Sequence, residues 1–242
     1  MLYILFSPAE GKHSGGQEEP LSDLLFGLSA RETILNRYND IVTSGDTEAI
    51  KALFGIKKEA DTAPYLGDLF STPTMSAIER YNGVAYEYLD YLSLSSDAQT
   101  YLKNHTLIFS NLYGVVMGGD KIANYKVKQG NSVGEIAPDK FYAEAFKSEL
   151  DSFLKGHEVL DLRAGYYDKF YKVGQPHMTL KFIKGGKVVS HWAKAYRGIV
   201  LRHLASHQIE SLDEFRKMEI DGVMVNEIKT IKNRTEIVFD IV

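Results

Sequence analysis

The chain of 242 residues contains no cysteine, which rules out disulfides, thiolate metal sites, cysteine-ligated iron-sulfur clusters and thiol redox chemistry. Whatever dealings it has with oxidants, it is not a thiol peroxidase. No apolar run approaches the ~20 residues that a membrane helix needs, and the N-terminus shows neither the basic leader nor the small-residue cleavage site of a secretory signal. The expected address is therefore the cytoplasm, with no membrane partner. HExxH and GxSxG patterns are both missing. The seven histidines lack metal-site spacing except for His203 and His207, which stand four apart with no carboxylate beside them, so no metal and no cofactor is expected. Gly11-Lys12 does not make a phosphate-binding P-loop, because the upstream glycine is missing and His13 stands where Ser or Thr belongs.

What the chain does have is charge of one sign in one place. Formal net charge is -4, yet the stretch from Arg163 to Arg202 holds nine Lys or Arg and a single acid, Asp168, leaving 19 basic against 31 acidic residues elsewhere. Tyr166, Tyr167, Phe170, Tyr171, Phe182, Trp192 and Tyr196 are interleaved with those cations. A local positive field set with aromatic faces attracts a phosphate backbone or another polyanion.

Hydrophobic periodicity gives the elements. Met1 to Phe6 and Thr106 to Phe109 are short apolar runs that predict strands covered on both faces. Ser29 and Glu32 are spaced as a capping box ahead of a helix carrying Ile34, Leu35, Tyr38, Ile41 and Val42. Asp46 and Gly55 bracket a shorter helix, and Thr74 starts another. The tyrosines at 81, 86, 88 and 91 predict core packing with hydroxyls reaching the surface. Residues 139–156 read as one helix, followed by a strand over 157–162 that delivers Asp161 and Arg163 to its end. Gly185-Gly186 between apolar runs predicts a two-residue hairpin with Lys184 opposite Lys187 and Lys181 opposite Ser190. From Ala193 a helix follows, with Lys194, Arg197, Gly198 and Arg202 on its outward side and the first two cations near its N-terminus, where an anion would be welcome. Ser211 and Glu214 give a capping box, and residues 223–225 and 234–242 give strands. The class is α/β or mixed α+β, one domain over residues 1–242 with a mixed sheet flanked by helices.

Taken in order, several short segments add up to a pattern. Ser7-Pro8-Ala9-Glu10, Tyr81 to Tyr86, Ser110 to Val115, Tyr125-Lys126 with Gly130, Leu160 to Ala164 with Tyr167 to Lys172, and Ala193 to Gly198 together resemble the YaaA family of bacterial peroxide-stress proteins. Glu10 departs from the lysine of that pattern, and Met117-Gly118-Gly119 from its Leu-Arg-Pro. The resemblance implies a positively charged cleft, a helix-hairpin-helix-like element, affinity for DNA, and a role in limiting free intracellular iron and oxidative damage.

Two functions follow. The first is binding of double-stranded or structured DNA, with Lys181, Lys184, Lys187, Lys194, Arg197, Gly198 and Arg202 at the phosphates and Tyr113, Tyr125 or Trp192 stacking on bases. The second is a glycosidase-like enzyme acting on a nucleotide, nucleobase or modified DNA, with Ser7, Tyr113, Lys126 and Asp161 gathered in the same cleft. A basic face that is merely solvated, or that docks an acidic protein, is the bland alternative. The sequence leaves catalysis and the number of associating chains open.

Overall fold

Leu2–Phe6 forms β1 with all five side chains buried, as an unalternating apolar run requires when both faces of a strand are covered. The computed structural model describes residues 1–17, 19, 21 and 24–242. After β1 comes the two-residue strand β2, Gly11–Lys12. The capping box at Ser29 does not form. Ser29–Arg31 is a 3-10 turn, Arg31 occupies the N-cap of α1 (Glu32–Thr43), and no side chain caps it. Arg31 turns inward instead and donates to the carbonyls of Tyr113, Val115 and Gly27. The apolar face of α1 is buried as its spacing predicts. In α2 (Thr47–Phe54) the Asp46 carboxylate accepts from the amides of Glu48 and Ala49, and Gly55 ends the helix in the left-handed region.

Thr74 was expected to open a helix but lies in β3 (Thr74–Ser76), which pairs antiparallel with residues 121–123. The helix α3 starts at Ala77 and ends at Arg80. Next come β4 (Tyr81–Asn82), which pairs with β2, then α4 (Val84–Leu89), α5 (Ser96–His105), β5 (Thr106–Ser110), β6 (Gly114–Met117) and β7 (Lys121–Ala123). The single helix expected over 139–156 is broken into α6 (Pro138–Ala145) and α7 (Lys147–Leu154). Phe146 between them is buried, stacks on Tyr142 and lies under the Arg31 guanidinium at 4.6 Å. The remaining elements are β8 (Glu158–Asp161), β9 (His177–Lys184), β10 (Lys187–Val188), α8 (Ser190–Ser206), α9 (Leu212–Lys217), β11 (Val223–Ile231) and β12 (Arg234–Ile241). Ser211 caps α9 through the Glu214 amide as expected.

One mixed sheet organises the single α/β domain, in the order β11-β12-β9-β8-β1-β5-β6 with β10 beside β9. The five inner strands are parallel, and the edges β11 and β6 run antiparallel. From β1 the chain goes to β5 on one side and later to β8 on the other. The loops leaving β1 and β8 therefore diverge at their carboxyl ends, the place where open α/β sheets form a ligand crevice.

Gly185 and Gly186 both have positive φ, 55° and 76°, and close the hairpin with Lys184 opposite Lys187. The second strand stops at Val188 because α8 begins at Ser190, so the expected pairing of Lys181 with Ser190 does not exist. Phe182 stacks between Phe239 of β12 and Tyr196 of α8, at 5.8 and 5.4 Å. Strand alternation then sends Lys181 to the opposite face of the sheet from α8.

Gly198 lies inside α8 and is buried, not outward. A β-carbon placed there would collide with the Ala85 carbonyl of α4, with the carbonyl carbon only 2.8 Å away. Something does approach this backbone closely, but it is helix α4. Gly198→Ala gains about 1 kcal/mol of helix propensity and loses more to overpacking against rigid backbone, a cost of about 1–3 kcal/mol or above. The expected outcome is a melting temperature several degrees lower by circular dichroism, whereas an equal or higher value would contradict this packing.

Candidate functional site

The carboxyl ends of the neighbouring strands β1, β5 and β8 put Ser7, Ser110 and Asp161 along one edge of the sheet. Hydrogen bonds across the gap fix the loops. Ser7 Oγ accepts from the Ala164 amide at 2.8 Å, and Tyr86 donates its hydroxyl to the Ser7 carbonyl at 2.9 Å. Asp161 is held by Arg163, which donates to both carboxylate oxygens at 2.9 and 2.7 Å and stacks over the Phe109 ring at 4.3 Å. Burial raises the Asp161 pKa, but the adjacent guanidinium and its hydrogen bonds outweigh that and hold it below the usual carboxylate value. Asp161 is a fixed anion here.

Beside β5, Ser110 Oγ accepts from the amides of Leu112 and Tyr113 and contacts the Tyr125 hydroxyl at 2.8 Å, which in turn meets the Tyr81 hydroxyl at 2.9 Å. The two tyrosine rings that carry this buried chain of three hydroxyls lie against Lys12. Register places Lys12 opposite Tyr81 in the β2-β4 ribbon, and its Nζ sits 3.9 Å from the centre of the Tyr125 ring and 5.3 Å from that of Tyr81. Its two hydrogen-bond acceptors are carbonyls, of Ala9 and Glu10, both at 3.3 Å. The Glu10 carboxylate faces Lys126 instead, at 3.6 Å. Burial first, and then the charges of Lys126 and Arg80 against the smaller opposing pull of Glu10, push the Lys12 pKa down to about 7. The Tyr125 face favours the ammonium by about 1 kcal/mol. Desolvation is worth several pKa units for a buried lysine, and so it prevails.

A folded pKa below the unfolded value of 10.5 means that the unfolded chain binds the extra proton between the two values. Stability then rises with pH above 7, by at most about 1.4 kcal/mol per pH unit. Buried tyrosines such as Tyr81, whose pKa values are raised chiefly by burial, reverse the trend only above about pH 10. Denaturant melts from pH 7 to 9.5 should show a gain on the order of 1–3 kcal/mol that Lys12→Met abolishes. A gain of equal size in the variant would contradict the assignment.

Among the four candidates for catalysis, Ser7 is engaged by Ala164, Asp161 by Arg163 and Lys126 by Glu10, while the Tyr113 hydroxyl is buried without a partner among the described residues. Tyr113 and Tyr125 are 0% and 1% exposed, so neither can serve as a stacking platform for a base. Trp192 is exposed, and Lys184 lies over its ring at 5.6 Å. The cations divide as well. Lys184, Lys187 and Lys194 are exposed. Arg202 is committed to the end of α4, donating to the carbonyls of Leu89 and Asp90 and to Ser93 Oγ. Arg197 is largely buried, and burial lowers its pKa against the pull of Asp161. Gly198 and Arg202 do not face outward as the helical wheel predicted, because α4 packs on that side, and Arg197 lies within the field of Asp161. Sequence reasoning does not single out Lys12, Tyr81 and Ser110 as site residues; the signals for them are Gly11-Lys12, which fails as a P-loop, the tyrosine cluster that reads as core, and the family-like segment that starts at Ser110.

The family model described as peroxide stress protein YaaA matches residues 1–229. The chain belongs to the YaaA family. It is 40% identical to an uncharacterized protein of Campylobacter jejuni over 98% of both chains. It is also similar to UPF0246 proteins of Corynebacterium glutamicum, at 33% identity over 87% of each chain, and of Streptomyces coelicolor, at 30% identity over 84% of this chain and 82% of that one. Among YaaA segments, the one departing at Glu10 is the one whose new carboxylate pairs with Lys126. The other departure, Met117-Gly118-Gly119, turns β6 into β7 with the Gly119 amide donating to the Lys103 carbonyl at 3.0 Å.

Proposed function

We propose that this YaaA protein binds double-stranded or structured DNA through Lys184, Lys187 and Lys194, with Trp192 as the stacking face. The observation that carries the reading is the hairpin tip. Lys184 and Lys187 stand directly opposite each other beside an exposed tryptophan, and among the described residues neither they nor Lys194 has an ion pair. Facing like charges cost a few tenths of a kcal/mol up to about 1, a cost that a phosphate between them removes. The short turn at Gly165–Lys169, the hairpin and α8 would serve as the helix-hairpin-helix-like element beside a positive cleft. Protection of DNA under peroxide stress, with the associated limitation of free iron, is the cellular role that such binding would support.

Titration of a labelled duplex by fluorescence anisotropy tests this. With about three phosphate contacts, affinity should fall on the order of fortyfold between about 50 and 200 mM salt. No binding at the lower salt, or affinity indifferent to salt, would remove the reading.

A glycosidase-like activity on a nucleotide, nucleobase or modified DNA has one specific observation in its favour. The Tyr113 hydroxyl, Asn111 Oδ1 and Arg197 Nε are buried and lack hydrogen-bond partners among the described residues, and a polar ligand is one group, besides water, that could satisfy them. Release of free base from damaged duplexes, followed by chromatography, separates this reading from binding alone.

A further inference from the structure

The DNA-binding reading makes no use of the amine at the crevice. We propose that Lys12 is a nucleophile that captures an aldehyde as an imine. Its placement carries the inference. The β2-β4 ribbon pins Lys12 opposite Tyr81, which holds Nζ over the Tyr125 ring with two carbonyl oxygens at 3.3 Å and no carboxylate in an ion pair with it among the described residues. The nearest acid in sequence, Glu10, is drawn to Lys126. The Tyr125 ring beneath the amine carries a hydroxyl that links Tyr81 to Ser110, and the Tyr113 ring, whose hydroxyl has no partner among the described residues, meets Tyr125 edge-on at 5.2 Å. The residue as a whole retains some exposure to solvent.

Lysines that form imines are those desolvated enough to be neutral at working pH. The charged and titratable groups around Nζ are Glu10, Lys126, Arg80, Tyr81 and Tyr125. Burial, followed by Lys126, sets the balance among them and leaves much of the amine unprotonated near pH 7. Its lone pair attacks the aldehyde carbon, and the carbonyl π pair moves to oxygen. That oxygen takes up a proton as nitrogen gives one up, forming a carbinolamine. The carbinolamine hydroxyl then leaves as water on protonation, and the C=N bond forms. Amine and aldehyde thus give imine and water, and nothing is oxidised or reduced.

An aldehyde of this kind has two sources, a small free aldehyde or the ring-opened sugar at an abasic position in DNA. The experiment incubates the full chain at pH 7 with sodium cyanoborohydride and either glyceraldehyde or a duplex containing one abasic site, and maps the reduced adduct by peptide mass spectrometry. The expected result is an adduct on Lys12 at least tenfold above that on any exposed lysine, with a labelling rate half-maximal near pH 7, and no adduct at this position in a folded Lys12→Arg variant. Labelling by glyceraldehyde alone assigns free aldehydes, and labelling by the abasic duplex alone assigns DNA; either supports capture. Lys12 labelled no faster than surface lysines with both probes overturns it. Because the wild-type peptide map is itself decisive, a variant that fails to fold does not matter. Binding of undamaged duplex, measured separately, reports on the DNA reading whatever the outcome at Lys12.

Discussion

Reversing Lys184, Lys187 and Lys194 to glutamate together is expected to weaken duplex binding at least a hundredfold at about 0.1 M salt. Each lysine that meets a phosphate releases condensed counterion, and the loss of three such contacts alone accounts for a large factor. Reversal adds repulsion from the phosphates. The fold should tolerate the change, because these side chains are exposed and make no ion pair among the described residues. Surface substitutions of this kind move stability by about 0.5 kcal/mol, or about 2 °C in melting temperature for a chain of this size. Anisotropy titration of the variant checks the first number and a thermal melt the second. Unchanged affinity in a folded variant would place the polyanion site elsewhere. Reversal at Arg202 breaks its bonds to the end of α4 and reversal at Arg197 puts a carboxylate into a largely buried position near Asp161, so weakened binding there would not locate the interface.

Arg80→Ala is expected to have the largest effect on stability. Arg80 is fully buried at the end of α3, and its guanidinium donates to four carbonyls: His13 at 2.7 Å, Gly15 at 2.9 Å, Pro73 at 2.9 Å and Ile122 at 3.3 Å. It thereby ties the loop after β2 to β7 and to the segment before β3. Burial lowers its pKa, yet among the described residues no acid pairs with it in compensation, so the hydrogen bonds offset the burial of the charge. Truncation orphans those carbonyls and opens a cavity. A loss of about 3–5 kcal/mol is expected, read as a shift in the urea midpoint, together with faster proteolysis between residues 11 and 17. Arg80→Lys should recover little, since one ammonium cannot reach four acceptors. A loss below about 1 kcal/mol would show that the loop does not depend on this residue.

What was legible in the sequence had local causes. The strands β1 and β5 are apolar runs, Asp46 and Gly55 cap α2 through their immediate neighbours, and Gly185-Gly186 fixes a turn whose register follows from its length. The misreadings arose where a distant partner decides the outcome. Thr74 is extended because β7 pairs with it, and residues 139–156 break at Phe146 because that ring fills space under Arg31. The wheel for α8 grouped Gly198 with its cations correctly, but could not say that α4 lies on that side. The tyrosine cluster was read as core, which holds for Tyr81, Tyr86 and Tyr91, while Tyr88 remains exposed. The hydroxyls of Tyr81 and Tyr86 are spent inside, on Tyr125 and the Ser7 carbonyl, rather than at the surface. The site around Lys12 depends on the β2-β4 ribbon, whose two strands are two residues each and separated by 68 positions in the sequence. No periodicity survives in elements that short.

The central claim is that the hairpin tip and the start of α8 meet phosphate. Its most direct test is the slope of log affinity against log salt for duplex DNA, measured for the wild type and for the neutralised variant Lys184→Met, Lys187→Met, Lys194→Met. The slope should be shallower by about 2.7 in the variant, three contacts at about 0.9 each. Identical slopes would contradict it.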